Sequence, residues 1–168
     1  MDPIPLPYSH HLSAAQGWLE LGTAQEAEHE LKAIQPPWDE HPAVLEISWG
    51  VNAKLKRWGR CVTLADQLIA RLPDHEAGWI HRSYALHELH RTQEALEKLA
   101  ECSVRFPRST TIPYNLACYH AQLSQLAPAR EWLEKAFARS EDPKALKEQA
   151  LQDRDLESLH AEIQKKPR

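Results

Sequence analysis

The chain has 168 residues, with 20 basic and 24 acidic side chains for a formal charge of −4 and only five glycines. The charges are intermixed, which excludes a single-sign footprint for nucleic acid, and no apolar run approaches the ~20 residues that cross a bilayer. Three cysteines at scattered spacings suit a reducing compartment, and MDPIPLPYSHH lacks the basic and apolar segments of a secretory leader, so a cytoplasmic location is expected.

Residues 1–7 carry Pro3, Pro5 and Pro7, which predict an extended arm. Paired helices follow. The first pair is predicted near 9–21 and 24–35, with Gly22 closing one helix and Thr23-Ala24-Gln25-Glu26 opening the next as a capping box, until Pro36-Pro37 stops it. The second is predicted near 42–55 and 59–71, ending at Leu72-Pro73. The third covers 75–89 and 92–105, with Asp74 as N-cap and Pro107 as terminator. The fourth covers 110–123 and 126–139, with Pro113 and Pro128 in first turns where proline costs least.

These pairs repeat. Ala27, Cys61, Ala95 and Ala129 stand 34 residues apart, and so do Leu21, Leu55, Leu89 and Leu123. One turn beyond the first column come Leu31, Ala65, Leu99 and Leu133. Ala15, Ser83 and Ala117 form a small-residue column on the first helices. Trp49 breaks that column, and Ala65 is the expected compensation. Two antiparallel helices approach closely only where one presents a small side chain, so burial is expected along the columns. Truncating Leu89 or Leu123, read as buried, is expected to cost roughly 2–5 kcal/mol. The repeats span about 8–41, 42–75, 76–109 and 110–141. From Ser140 the register lapses, and 142–168 is expected to cap the array through Leu146, Ala150, Leu151, Leu156, Leu159 and Ile163. The basic ending Lys165, Lys166, Arg168 reads as a solvated tail.

A period of 34 is that of the tetratricopeptide helical hairpin. Trp79-x-x-Arg82-Ser83-x-x-Leu86, then Ala95-x-x-x-Leu99 and Pro107, resembles its pattern, with departures at Arg82 and in leucine at both aromatic positions. Repeat 4 adds Leu116-Ala117, Ala129, Leu133 and Ala136. The run Asp153-Arg154-Asp155-Leu156-Glu157-Ser158-Leu159 is similar to endings of bacterial tetratricopeptide proteins. The resemblance implies an all-α solenoid, a right-handed superhelix of antiparallel helix pairs covering 8–168 as one domain. It also implies a concave groove lined by the first helices, holding a peptide or helix of another protein.

Carried onto this sequence, the groove positions are Leu12, Gln16 and Leu19; Ile47; Ile80, His81, Tyr84 and His87; and Tyr114, Asn115, Cys118 and Gln122. The wall they form is apolar, aromatic and amide-rich. Family members that grip acidic chaperone tails use a lysine, asparagine and arginine clamp, and Leu12, Gln16, Ile47, Ala77 and His81 at the matching positions do not reproduce it. An apolar segment meeting Ile80, Tyr84 and Tyr114 is expected instead; the alternative is that both tyrosines pack between hairpins. The small class II chaperones of type III secretion resemble this chain in length, repeat count and groove polarity, which suggests an adaptor or chaperone-like role.

Catalysis is not expected. His81, His87 and His90 share a helix, but His81 and His87 diverge at ~100° per residue, and no HExxH or CxxC accompanies them. Metal and cofactor are therefore not expected. Cys61 and Cys102 fall in packing columns, while Cys118 falls on the groove with His120 on another side of its helix. Trp18, Trp49 and Trp79 read as packing residues, whereas Trp38 and Trp132, if exposed, would offer contacts to a partner or a second copy. A homodimer is compatible with the sequence, and the competing reading is a homo-oligomeric assembly module whose groove is unused or self-occupied.

Overall fold

The computed structural model describes residues 3–165, which form helices and turns with no strand among them. Met1 and Asp2 of the expected arm and Lys166–Arg168 of the basic tail lie outside the described residues. Pro3–Pro5 have no regular structure and Leu6–Pro7 make a turn. In order come α1 (Tyr8–Glu20), α2 (Ala24–Lys32), a 3-10 turn (Trp38–Glu40), α3 (Pro42–Lys54), α4 (Trp58–Arg71), α5 (Glu76–Glu88) and α6 (Thr92–Ala100). Then come α7 (Thr111–Gln122), α8 (Leu126–Arg139), α9 (Pro143–Ala150), a second 3-10 turn (Arg154–Leu159) and α10 (His160–Lys165). The chain divides into two compact units, Met1–Ala85 and Leu86–Arg168, with the division inside α5.

Each of the four hairpin corners is built alike. Gly22, Lys56, His90 and Ser124 all have left-handed φ, at 83°, 54°, 60° and 60°. Their N–H groups bond Leu19, Ala53, His87 and Ala121 carbonyls, and the next N–H reaches back to Trp18, Asn52, Leu86 and His120 at 2.8–3.0 Å. This is the Schellman ending, which satisfies carbonyls that the terminated helix leaves unpaired. The corners are 34 residues apart, so the period seen in side chains is also a period in the backbone.

In the first unit, α1 packs on α2, α3 on α4, and both α1 and α2 on α3. Ala15, Ala24, Ala27 and Val51 form one core, joined by Leu19, Leu31, Ile47 and Leu55. Leu45, Leu64 and Leu68 form another against Trp49. Gly78 lets α5 approach α4: an added Cβ would stand 2.9 Å from Ile69 Cγ1 and 3.0 Å from its backbone nitrogen. In the second unit α7 pairs with α8, and the 3-10 turn Arg154–Leu159 lies against α7, α8 and α10. Ala150, Leu156, Leu159 and Ile163 are buried there, and Leu146 and Leu151 half-buried.

The small columns are buried completely: Ala27, Cys61, Ala95 and Ala129, and Ala15, Ser83 and Ala117, all have 0% exposure. The leucine column is different. Leu21, Leu55 and Leu123 occupy the cap just beyond the first helices, at the rim of the hairpin; Leu55, Leu89 and Leu123 are half-buried, and Leu21 is 74% exposed. Trp18 is also solvent-facing, at 40%, rather than a packing residue.

Two local expectations are corrected. The Thr23 hydroxyl donates back to the Trp18 carbonyl and does not cap α2. And α6 stops at Ala100, because Cys102, Ser103 and Arg105 switch to bonds three residues back while the Cys102 thiol and Ser103 hydroxyl compete for Leu99 and Ala100 carbonyls.

Candidate functional site

The residues singled out from the sequence fall into two groups, one in each unit. In the first unit Trp49 stands where the other first helices carry Ala15, Ser83 and Ala117. A large ring in a small-residue column cannot be swallowed by the hairpin, and here it stacks on His81, centroids 4.0 Å apart and planes 13° from parallel. Tyr84 meets Trp49 edge-on at 6.2 Å and Trp58 edge-on at 5.8 Å. The four rings make one aromatic surface whose outermost member, Tyr84, is 40% exposed.

Of the other expected positions in this unit, Ile80 and Leu12 are half-buried, and Gln16 is exposed and donates to Glu20. Leu19 and Ile47 are spent on the α1–α3 core; Gly50, with Leu19 Cδ2 2.8 Å from where a Cβ would sit, permits that approach. Burial, helped by nearby His75, pushes the His81 pKa down to about 4, so its imidazole is neutral at pH 7 and stacks as an aromatic. Trp49 also has a cost: its Nε1–H is buried and finds no acceptor among the described residues.

In the second unit the predicted positions are already occupied, by the chain itself. Tyr114 and Cys118 are 6% and 4% exposed. The Tyr114 hydroxyl donates to Asp153 Oδ2 at 2.9 Å and the Cys118 thiol to the same oxygen at 3.8 Å. Gln122 donates to the Asp155 carbonyl at 3.2 Å, and Asp155 Oδ2 lies 3.1 Å from His87 Nε2. His87 Nδ1 is 3.0 Å from the Thr92 hydroxyl. Asn115 is half-buried. Asp153 also caps the 3-10 turn, accepting from the Asp155 N–H at 2.9 Å, and its carbonyl meets His160 at 2.9 Å. Burial and the neighbouring carboxylates push both the Cys118 thiol and the Tyr114 phenol well above their ordinary ranges, so both stay protonated and donate. Cys118 is therefore not the reachable thiol its sequence position suggested.

Ligand atoms of Cys118, Asp153 and Asp155 lie within 4.8 Å of one another. Each is already engaged in the hydrogen-bond network above, which accounts for their meeting. His90 stands at the α5–α6 corner in the left-handed conformation, outside the helix that carries His87. Cys61 is buried and its thiol is pushed up to about 11 by burial. Trp38 and Trp132 are half-buried, with Lys135 Nζ 3.9 Å over the Trp132 ring. The sequence pointed to Tyr84 and His81 but not to Trp58 as their neighbour, nor to Asp153 and Asp155 as the groups covering α7.

No family model and no curated protein matches the sequence. Solved structures do. One titled "MamA RS-1 ArsTM double mutant" superposes with TM-score 0.70 at 13% identity, covering 79% of this chain and 75% of its own. A second MamA mutant superposes with TM-score 0.64 at 14% identity, covering 83% and 81%. MamA is a tetratricopeptide-repeat protein. The chain has the tetratricopeptide fold, an all-α solenoid class built of antiparallel helix pairs. No described helix is long and apolar enough to cross a membrane.

Proposed function

We propose that the chain is a protein–protein interaction module, an adaptor that holds an apolar segment of a partner against the aromatic surface of its first unit. The single observation that carries this reading is the cluster Trp49, Trp58, His81 and Tyr84, with Tyr84 40% exposed. The fold does not require it. Small side chains at 15, 83 and 117 satisfy the same hairpin geometry, whereas Trp49 leaves a buried donor unsatisfied, at a cost of about 1–3 kcal/mol. A costly departure from the local rule that sets half-buried rings behind an exposed tyrosine is the pattern of a binding surface. On α7 the matching positions are held by Asp153 and Asp155, so recognition is assigned to the first unit.

Tyr84→Ala and Trp58→Ala are the test. A partner recovered with the wild-type chain is expected to bind at least about tenfold more weakly to each variant, with helical circular dichroism unchanged. Undiminished binding by both contradicts the assignment.

One observation favours a second reading, self-assembly: Leu6, Trp18 and Leu21 are 68%, 40% and 74% exposed on and beside α1. Light scattering across concentration separates the two, since an adaptor stays monomeric.

A further inference from the structure

We infer that the aromatic surface of the first unit recognises one class of segment, an extended proline-containing stretch of a partner protein in the polyproline II conformation. The inference rests on the reading of that surface given above and names what it holds.

The ring geometry decides against other occupants. Tyr84 stands edge-on to Trp49 with planes 64° apart and to Trp58 with planes 70° apart, at centroid separations of 6.2 and 5.8 Å. Edge-to-face rings about 4.5–7 Å apart touch each other, so no hollow remains between them to enclose a cation or a branched side chain. A ligand lies over the faces instead. Trp49, Trp58 and His81 are half-buried and Tyr84 is 40% exposed, which makes the surface a shelf and not a groove. A leucine or methionine laid on a shelf gives up rotamer freedom for little burial. Proline has none to give up, and its flat ring covers a flat ring.

Hydrogen bonding points the same way. An indole donates and cannot accept. The Trp49 Nε1–H is buried. The Trp58 Nε1–H is not, and it makes no hydrogen bond to a described residue. Trp58 is the first residue of α4, so the shelf has a donor at its edge. A β segment brings N–H groups that need acceptors, and a helix has spent its carbonyls internally. A polyproline II segment keeps its carbonyls free and loses an N–H at every proline. It supplies acceptors and asks for few, and its conformation is formed before it binds.

The probe is a fluorescein-labelled peptide of three Ala-Pro-Pro triplets, titrated into the full chain by anisotropy. A second peptide has three Ala-Gln-Leu triplets and is expected to bind at least about tenfold more weakly. In nitrogen–proton correlation spectra the Trp58 indole signal, assigned by its loss in Trp58→Phe, is expected to shift in step with saturation by the proline peptide. Trp58→Phe keeps a ring and removes the donor, and is expected to weaken the proline peptide about fivefold, the loss of one hydrogen bond. Tyr84→Ala is expected to weaken it at least about tenfold, with helical circular dichroism unchanged in both variants. Equal binding of the two peptides, preference for the leucine peptide, binding of neither, or an unmoved Trp58 signal each overturns the inference. Self-association that Tyr84→Ala abolishes also overturns it, and assigns the shelf to the proline arm of a second copy. A chain that binds no proline peptide, yet captures a partner that Tyr84→Ala releases, overturns the inference and leaves the recognition surface standing. Undiminished capture by both Tyr84→Ala and Trp58→Ala overturns the surface and the inference together.

Discussion

The Tyr114 hydroxyl donates to Asp153 Oδ2 across 2.9 Å, joining positions 39 apart in the chain. That carboxylate also accepts from the Cys118 thiol and caps the turn that buries Leu156 and Leu159. One side chain therefore ties α7 to the C-terminal segment and shapes that segment at the same time. Asp153→Ala removes both the cap and the acceptor of the buried Tyr114 hydroxyl, so it is expected to cost about 2–3 kcal/mol; Tyr114→Phe, which leaves the cap in place, is expected to cost about 1 kcal/mol. Urea unfolding of both variants checks the order.

The left-handed corners give a second test. Lys56, His90 and Ser124 hold a conformation that costs a side-chain-bearing residue about 1 kcal/mol relative to glycine. Each replacement by Gly is expected to raise stability by about 0.5–1 kcal/mol, and Gly22→Ala to lower it by about 1 kcal/mol. The sites are in separate corners, so the three gains are expected to add.

Two glycines within helices should behave differently. At Gly50 the obstacle to a Cβ is the end of the flexible Leu19 side chain. Leu19 can swing aside, and the gain in helix propensity of up to about 1 kcal/mol makes Gly50→Ala close to neutral. At Gly78 the obstacle includes the Ile69 backbone nitrogen, which cannot. Gly78→Ala is expected to cost a net of about 1–3 kcal/mol, read as a lowered urea midpoint.

His81 makes stability depend on pH. Its folded pKa is about 4 against an ordinary value of 6.5, because burial, helped by His75, disfavours the charged ring. The unfolded chain thus takes up this proton first. The stability is present above about pH 6.5 and is lost as pH falls towards 4, by an amount on the order of 3 kcal/mol. His81→Phe keeps the stack on Trp49 without the titration. Its stability is expected to fall less than that of wild type between pH 7 and 4; parallel curves would contradict the assignment.

How much of this the sequence displayed follows from the range of each interaction. Ala27, Cys61, Ala95 and Ala129 announce the hairpins, because the close approach of paired helices is a local demand repeated four times, and all four are fully buried. The left-handed corners are as regular but hidden: only Gly22 carries the residue that advertises such a backbone. Leu21 shares its column with Leu55, Leu89 and Leu123 yet is 74% exposed, a difference the column itself does not display. Asp153 and Asp155 stand in a recognisable C-terminal run, but Tyr114 and His87 lie 39 and 68 positions before their partners, and no periodicity links them. Trp49 read as a break in a column; that the break creates a surface with His81, Tyr84 and Trp58 is visible only in three dimensions.

The central claim is that Tyr84 belongs to the open recognition surface while Tyr114 is covered by the chain's own C-terminal segment. Site-specific photo-cross-linking tests it directly, with benzoylphenylalanine placed at 84 in one variant and at 114 in another. The account predicts a covalent partner adduct from position 84 and none from position 114. An adduct from 114 with none from 84, or none from either, would contradict it.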